Sequence, residues 1–231
     1  MELSPFSLQH DWSINWEVVP SGINIDPRVA INSTNERRAL EAIASVGVIS
    51  KHQLIQLFSL REKQLKSMEK SFKILKHELI KNKEEKTIIY TLNTKGALAL
   101  GLDNYKVNYW LEYYTNDVLK SLLYFQVYYF FPKLNIKPTP KPFTGGVETK
   151  SNMIYVYVVK GNNDDLSRFL KWEKKQGQRL VIVVENPHQL KPLELYLKDL
   201  KIRVALEKDL VSGDNTEQNI FYTYKDGRFV R

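Results

Sequence analysis

The fold of the N-terminal half is decided by residues 33–58, which read STNERRALEAIASVGVISKHQLIQLF. The hydroxyl residues and the acid at its start are an N-cap signal, and the apolar residues that follow recur at helical spacing. Gly47 predicts the end of this first helix. A second cap at Ser50 then predicts a short helix over residues 51–58.

A third helix is predicted over residues 60–78, because two stripes with helical spacing run along it. The apolar stripe has spacings of 3, 4, 3 and 4 and consists of Leu65, Met68, Phe72, Leu75 and Leu79. A second stripe, with spacings of 3, 4 and 3, consists of Lys63, Lys66, Lys70 and Lys73. With the apolar stripe buried in the core, we expect the lysine stripe to face outward.

The next segment predicts a β-hairpin and a small helix. Two β-favouring stretches, residues 79–80 and 87–92, flank the charged tip 81–86. Asn93 or Thr94 then caps a helix over residues 95–100, which Gly101 ends. Three helices followed by a hairpin are the order of a winged helix-turn-helix. We assign this domain to residues 33–102, with 51–58 as the supporting helix, 60–78 as the recognition helix and the hairpin as the wing.

A winged helix-turn-helix places its recognition helix in the major groove of DNA. Arg61 and Gln64 are the side chains able to bond base edges bidentately, and the stripe Lys63, Lys66, Lys70 and Lys73 suits phosphates. Three further lysines would serve the wing, namely Lys81, Lys83 and Lys86. The chain carries a net charge of +8, and residues 61–86 supply +4 of it. A lysine face that only solubilises the helix, or a winged helix that binds protein, is the alternative.

The flanking segments carry weaker patterns. Residues 1–32 predict an irregular arm with at most a short strand. Residues 103–131 predict a connecting helical segment, with a helix that starts near Asn116 and stops at Pro132. Eleven of the 27 aromatic residues lie between positions 105 and 131. They suit stacking on single-stranded bases, but we favour burial, where tyrosines join two domains or two protomers.

Residues 132–231 alternate strand and helix signals and predict an α/β domain. Its expected strands and helices are an edge strand in 132–146, a strand at 153–159, a helix at 164–176, a buried central strand at 180–184, a helix at 190–200, a strand at 202–206 and a terminal hairpin with an Asp226-Gly227 turn. The whole chain is therefore expected to be α+β, with a winged helix-turn-helix followed by this α/β domain.

Catalytic chemistry has little support in the sequence. The absence of cysteine excludes thiol nucleophiles, and the four histidines are scattered without metal-site spacing. A restriction-endonuclease-like nuclease needs an acid on one strand and an acid, one spacer and a lysine on the next. Only Glu148 and Lys160 match partly, since the strand before Lys160 is apolar and aromatic. We predict a non-enzymatic chain without metal or cofactor.

The N-terminus lacks the basic start and apolar run of a signal peptide. The longest uncharged, aromatic-rich run, residues 121–131, is too short to span a bilayer. We therefore expect a cytoplasmic protein with no membrane partner.

Two segments carry a family resemblance, ALEAIASVGVISKHQLIQLF (residues 39–58) and IIYTLNTKGALALGL (residues 88–102). With the basic helix between them and a second half similar to a restriction-endonuclease-like fold without its active site, the chain resembles the replication-relaxation family of plasmids and other mobile elements. The resemblance covers most of residues 34–210. It implies DNA binding in plasmid replication, relaxation or transfer.

These features together predict a sequence-preferring double-stranded DNA-binding protein. We expect the C-terminal domain to form a homo-oligomer or to bind a replication or transfer protein. Three alternatives stay open: a transcriptional regulator with the same winged helix, a protein-interaction module in a replication or transfer complex, and, as a minor option, a metal-dependent nuclease.

Overall fold

The computed structural model describes residues 3–20, 30–173, 177–197, 200–211, 220–225 and 228–230. The chain forms two compact units: an N-terminal unit, His10–Leu122, and a C-terminal unit that combines Met1–Gln9 with Leu123–Arg231. One sheet of four strands belongs to the first and one of seven strands to the second. The chain is thus a mixed α+β protein, as predicted. No helix in the described residues is long and apolar enough to cross a membrane.

The elements of the N-terminal unit follow from local signals at most of their ends. In chain order they are β1 (Trp12–Asn15), α1 (Thr34–Val46), β2 (Val48–Ser50), α2 (Lys51–Phe58), α3 (Glu62–Lys70), β3 (Ile74–Lys81), β4 (Glu85–Leu92) and α4 (Thr94–Leu100). The Ser33 hydroxyl accepts a hydrogen bond from the Glu36 N–H and caps α1. Ser50 caps α2 and Asn93 caps α4. The predicted helices α1, α2 and α4 are confirmed.

The prediction of a single helix over residues 60–78 is wrong. Helix α3 ends at Lys70, and the chain turns through Phe72, whose φ is +56°. Strand β3 then pairs antiparallel with β4 over eight residue pairs, from Ile74↔Leu92 to Lys81↔Glu85. The hairpin is therefore longer than predicted, because the strand takes over residues 74–78. The sheet order is β1-β3-β4-β2.

Helix α5 (Thr115–Tyr128) follows a short 3-10 helix, Tyr109–Glu112. In the N-terminal unit, the α5 backbone is held by Gln53 of α2, whose Nε2 donates to the Leu122 carbonyl at 2.7 Å. Most aromatic residues between positions 105 and 131 are buried or partly buried. Trp110 is buried in the N-terminal unit, whereas Tyr124, Phe125 and Tyr128 are buried in the C-terminal unit. Tyr114 and Tyr129 are exposed.

The C-terminal unit is built on a sheet whose strands lie in sequence order. Its elements are β5 (Asn135–Lys137), β6 (Gly145–Glu148), β7 (Met153–Val158), α6 (Asp164–Trp172), β8 (Arg179–Val184), a 3-10 helix (Pro187–Leu193), β9 (Lys201–Leu206), α7 (Glu207–Val211), β10 (Phe221–Lys225) and β11 (Arg228–Val230). Strands β5, β6 and β7 form an antiparallel meander, and β7, β8 and β9 are parallel. The predicted edge strand β5 and central strand β8 are confirmed.

Two expectations for this unit have other outcomes. The helix predicted over residues 190–200 is wrong, because the described part of that segment forms the end of a 3-10 helix, which contains Pro192, and then turns. Proline lacks the N–H that an α-helix interior needs. Strands β10 and β11 pair antiparallel as predicted, but the Asp226-Gly227 turn between them lies outside the described residues.

Candidate nucleic-acid interface

Helix α3 is a short element held by two apolar anchors. Leu65 and Met68 are 1% and 2% exposed and fix one side of the helix in the core. At the N-terminus, the Gln64 side chain folds back, and its Oε1 accepts a hydrogen bond from the Arg61 N–H at 2.8 Å. At the C-terminus, the Ser71 hydroxyl donates to the Ser67 carbonyl at 2.8 Å. Both ends are thus fixed within the helix itself.

Three lysines of α3 form a single exposed surface, which we call the lysine face: Lys63, Lys66 and Lys70. At about 100° per residue they lie within about 60° of one another, directly opposite Leu65 and Met68. Within the described part of the chain, no acidic side chain lies within 4.0 Å of their ammonium groups. The lysine face therefore presents three positive charges to solvent.

The expectation that Lys73 continues this stripe is wrong. Lys73 follows the end of α3, and its side chain is 4% exposed. Its Nζ lies 2.5 Å from Oε1 of Glu36 in α1 and donates to the Ala30 carbonyl at 2.6 Å. A buried ammonium must be paired, and these two oxygens pair it. Lys73 is therefore a structural residue that joins α1 to the start of β3.

The hairpin lysines are exposed or partly exposed, but each has an acidic partner. Lys81 pairs with Glu85 at 2.8 Å, Lys83 lies 3.9 Å from Asp11, and Lys86 lies 3.3 Å from Glu78. Surface pairs of this kind hold the side chains weakly. They nevertheless cancel the local charge, so the hairpin offers phosphate much less attraction than the lysine face.

The two expected base-reading residues both lie at the start of α3. Arg61 is the N-cap residue, with extended backbone, and its side chain is exposed. Gln64 is also exposed, but its amide oxygen is used in the hydrogen bond to the Arg61 backbone. The structure therefore brings Arg61, Lys63, Gln64, Lys66 and Lys70 onto one short helix.

Contacts that the sequence did not reveal hold α3 in place. The Tyr90 hydroxyl of β4 donates to Oε1 of Glu69 at 2.7 Å, and burial raises the pKa of Tyr90 far above its usual range, which keeps this donor protonated. On α2, Lys51 donates to Glu62 at 2.7 Å and lowers the pKa of that carboxyl. Glu69 thus links α3 to β4, and Glu62 links α3 to α2. The sequence offered one sign of the contact with Glu69, namely Tyr90, whose polar hydroxyl stands among the β-favouring residues of β4.

In the C-terminal unit, Lys160 lies just after β7 and is buried beside Glu207. Its Nζ lies 2.6 Å from Glu207 Oε1 and donates to the Phe6 carbonyl at 2.6 Å. The Ser4 hydroxyl donates to Glu207 Oε2 at 2.7 Å. Burial raises the pKa of Glu207, and the Lys160 charge opposes that shift. The N-terminal segment is therefore attached to the ends of the parallel strands.

Glu148, the other residue that partly matches the nuclease pattern, lies on β6 and is 3.4 Å from the Lys137 ammonium. In the pattern expected for a nuclease, an acid would stand two residues before Lys160, where Val158 is completely buried. No group of three or more histidine, aspartate or glutamate side chains placed to hold a metal ion occurs in the described residues. Glu148 and Lys160 thus have separate ionic partners.

Comparison with protein-family models, with curated proteins and with solved structures finds no match to this chain. The resemblance to the replication-relaxation family stays a prediction.

Proposed function

We propose that the protein binds double-stranded DNA through the lysine face of α3, as a cytoplasmic, non-enzymatic component of plasmid or mobile-element replication, relaxation or transfer. The observation that carries this proposal is the position of Lys63, Lys66 and Lys70, which are exposed, free of acidic partners in the described residues, and opposite the buried side of the helix. Such ammonium groups suit the phosphates of a duplex.

The order of elements around α3 supports a winged helix-turn-helix arrangement. The sequence of α1, α2 and α3 followed by the β3–β4 hairpin and α4 is the one expected for that domain. In this interpretation α2 supports α3, α3 is the recognition helix and the hairpin is the wing. The assignment to plasmids and mobile elements rests on the family resemblance alone.

For the C-terminal unit we propose a scaffold role in self-association or in binding a replication or transfer protein. The order α5, three antiparallel strands, α6 and the parallel strand β8 is similar to that of restriction-endonuclease-like domains. The Lys160 ammonium is bound by Glu207 and the Phe6 carbonyl, and Val158 stands where a carboxylate is needed. This favours a non-catalytic version of that fold.

The DNA proposal is tested by the fluorescence anisotropy of a labelled duplex titrated with the full-length protein. A variant with Lys63→Gln, Lys66→Gln and Lys70→Gln should lose most of its affinity. The matched control carries Lys106→Gln, Lys191→Gln and Lys208→Gln, which remove the same charge from exposed positions elsewhere. Absence of binding at low salt, or equal loss in both variants, contradicts the proposal.

The non-enzymatic part of the proposal has its own test. Supercoiled plasmid is incubated with the purified protein and Mg²⁺ or Mn²⁺, and we expect the plasmid to stay intact. Cleavage that copurifies with the protein and is lost in Lys160→Ala would show that the C-terminal unit is a nuclease.

A further inference from the structure

We propose that the lysine face binds duplex DNA through phosphates without selecting a base sequence. This inference rests on the proposed function and narrows the ligand to the duplex backbone. It follows from how few side chains here can read bases, and from the hydrogen bonds that already engage Gln64 and Asn82.

The planar side chains that read bases in the major groove make two hydrogen bonds to one base, arginine to guanine and asparagine or glutamine to adenine, and lysine can also donate to guanine. Among the residues of α3 and its N-cap, only Arg61 and Gln64 are of these planar types. The exposed surface otherwise consists of lysines, Ser67 and Glu62, whose carboxylate is paired with Lys51. Lysine is a point charge on a flexible stem and suits phosphates of any sequence.

Gln64 is not free to read a base. Its Oε1 accepts the Arg61 N–H at 2.8 Å, which turns the amide back toward the N-terminus of its own helix. Pairing with adenine needs the oxygen and the nitrogen of that amide to point together into the groove. To do so, Gln64 would have to break this capping bond and leave the exposed Arg61 N–H to water.

The hairpin repeats this arrangement. The side chain of Asn82, at the hairpin tip, accepts a hydrogen bond from the Asp11 N–H through Oδ1 at 3.1 Å, and the backbone N–H of Asn82 donates to the Asp11 carbonyl at 2.6 Å. Residues 78–86 with Asp11 also contain four acids and three lysines. The hairpin therefore adds neither a free amide nor a net positive charge.

Arg61 is then the remaining side chain of the bidentate type in this region. A single arginine contact with guanine discriminates at one base pair, and a G·C pair is available in almost any short duplex. The protein can thus meet this contact by a small shift along the DNA. Affinity should follow the number of phosphates contacted and not the base sequence.

The test measures the dissociation constants of the full-length protein for several labelled duplexes of unrelated sequence, each of which contains G·C pairs, at one low salt concentration. We expect values that agree within roughly threefold, whereas specific proteins separate sites by about a thousandfold or more. A selection from random duplexes should likewise yield no enriched sequence.

Two variants keep the inference separate from the proposed function. Lys66→Gln should weaken binding to every duplex by the same factor, and Gln64→Ala should change each affinity less than about twofold. One duplex bound a hundredfold tighter than the rest, with that preference lost in Gln64→Ala, overturns the inference and leaves DNA binding intact. Failure to bind any duplex overturns the proposed function itself.

Discussion

The ammonium of Lys73 lies 2.5 Å from the carboxylate of Glu36, and both side chains are almost completely buried. This pair connects the loop after α3 to the first turn of α1, so a lysine that belongs by spacing to the exposed stripe is part of the core. Substitution of Lys73 should lower stability and leave DNA affinity almost unchanged, whereas substitution of the lysine face should lower DNA affinity. The two roles can therefore be told apart by measurement.

Lys73→Met should destabilise the N-terminal unit by about 3–5 kcal/mol, since it leaves the Glu36 carboxylate buried without its partner. Urea unfolding followed by tryptophan fluorescence measures this loss. The double variant Lys73→Met with Glu36→Leu should recover much of it. Under conditions where the single variant is folded, its duplex affinity should be close to that of the wild type. A loss of affinity as large as that of Lys66→Gln would instead place Lys73 at the interface.

The stability of the N-terminal unit should fall in acid because of His77. Its Nδ1 accepts the Glu17 N–H at 2.9 Å, so the ring proton is on Nε2 and is donated to the Thr91 hydroxyl at 2.8 Å. The rings of Trp16 and Trp110 lie at 4.8 and 5.2 Å. Burial lowers the pKa of His77 from 6.5 to about 3. The neutral ring is therefore the form that the fold accepts.

The sign of the pH dependence follows from this lowered pKa. Below pH 6.5 the unfolded chain takes up a proton at His77 that the folded chain does not, so the stabilisation is complete above pH 6.5 and is lost as the pH falls toward 3. The loss should reach up to about 5 kcal/mol. Urea midpoints compared between the wild type and His77→Gln should converge as the pH falls below 6.5. Parallel pH profiles for the two proteins would contradict this role.

Gly96 should be intolerant of alanine although it lies inside α4. A Cβ at this position would stand 2.2 Å from the Lys73 carbonyl oxygen, which also accepts the Asn93 N–H at 2.9 Å. Alanine normally stabilises a helix interior by about 1 kcal/mol over glycine. We expect Gly96→Ala to destabilise by more than about 2 kcal/mol, because backbone must move.

The control for Gly96 is Gly101, which ends the same helix. Its φ is +71°, and no atom lies within 4 Å of an added Cβ. Gly101→Ala should cost only about 1 kcal/mol, from backbone strain alone. Thermal unfolding of the two variants ranks the effects, and a milder loss for Gly96→Ala than for Gly101→Ala would refute the close contact of Gly96 with the Lys73 carbonyl.

The buried pair of Lys160 and Glu207 should stabilise the C-terminal unit and have no part in DNA hydrolysis. Within the described residues, Lys160→Met leaves Glu207 with the Ser4 hydroxyl as its hydrogen-bond partner and should cost about 3–5 kcal/mol. Lys137→Met removes the half-exposed partner of Glu148 and should cost less than about 1 kcal/mol. Unfolding of the two variants, followed by circular dichroism, tests this difference. Equal stabilities of the Lys160→Met and Lys137→Met variants would contradict a structural role for Lys160.

The sequence alone was sufficient to locate the helix ends that local capping signals determine. The caps Ser33, Ser50 and Asn93 and the glycines Gly47 and Gly101 bound α1, α2 and α4 at the predicted residues, within one position. A cap acts through side-chain and backbone groups a few residues away, so the sequence alone contains both partners of the interaction.

The boundary between α3 and β3 was not predictable from such signals. Leu75 and Leu79 are four residues apart, a spacing that one side of a helix and one face of a strand both satisfy. Pairing with β4 decides whether residues 74–78 form helix or strand, and β4 lies beyond the range of a local capping signal. The length of β4 was a usable signal for the start of β3, because the eight residues of β4 need eight pairing partners on the other strand of the hairpin.

The same dependence on contacts between distant residues explains which residues of the candidate site were predicted correctly. Lys63, Lys66 and Lys70 were placed correctly because they lie within the real helix, whereas Lys73 was misplaced with the helix end. The pairing of hairpin lysines with acids such as Asp11 depends on contacts between β1 and the hairpin. The capping bond of Gln64 was local, and its i, i+3 spacing from Arg61 offered a sequence signal that the base-reading interpretation overrode.

The most direct measurement of the central proposal is the salt dependence of duplex affinity. The logarithm of the association constant should fall linearly with the logarithm of salt concentration, with a slope of magnitude about 0.9 for each phosphate contacted. Replacing Lys63, Lys66 and Lys70 together by glutamine should reduce that magnitude by about 2.7, whereas the same replacement at Lys106, Lys191 and Lys208 should leave it unchanged. A slope that is the same in the wild type and in the lysine-face variant would contradict DNA binding by α3.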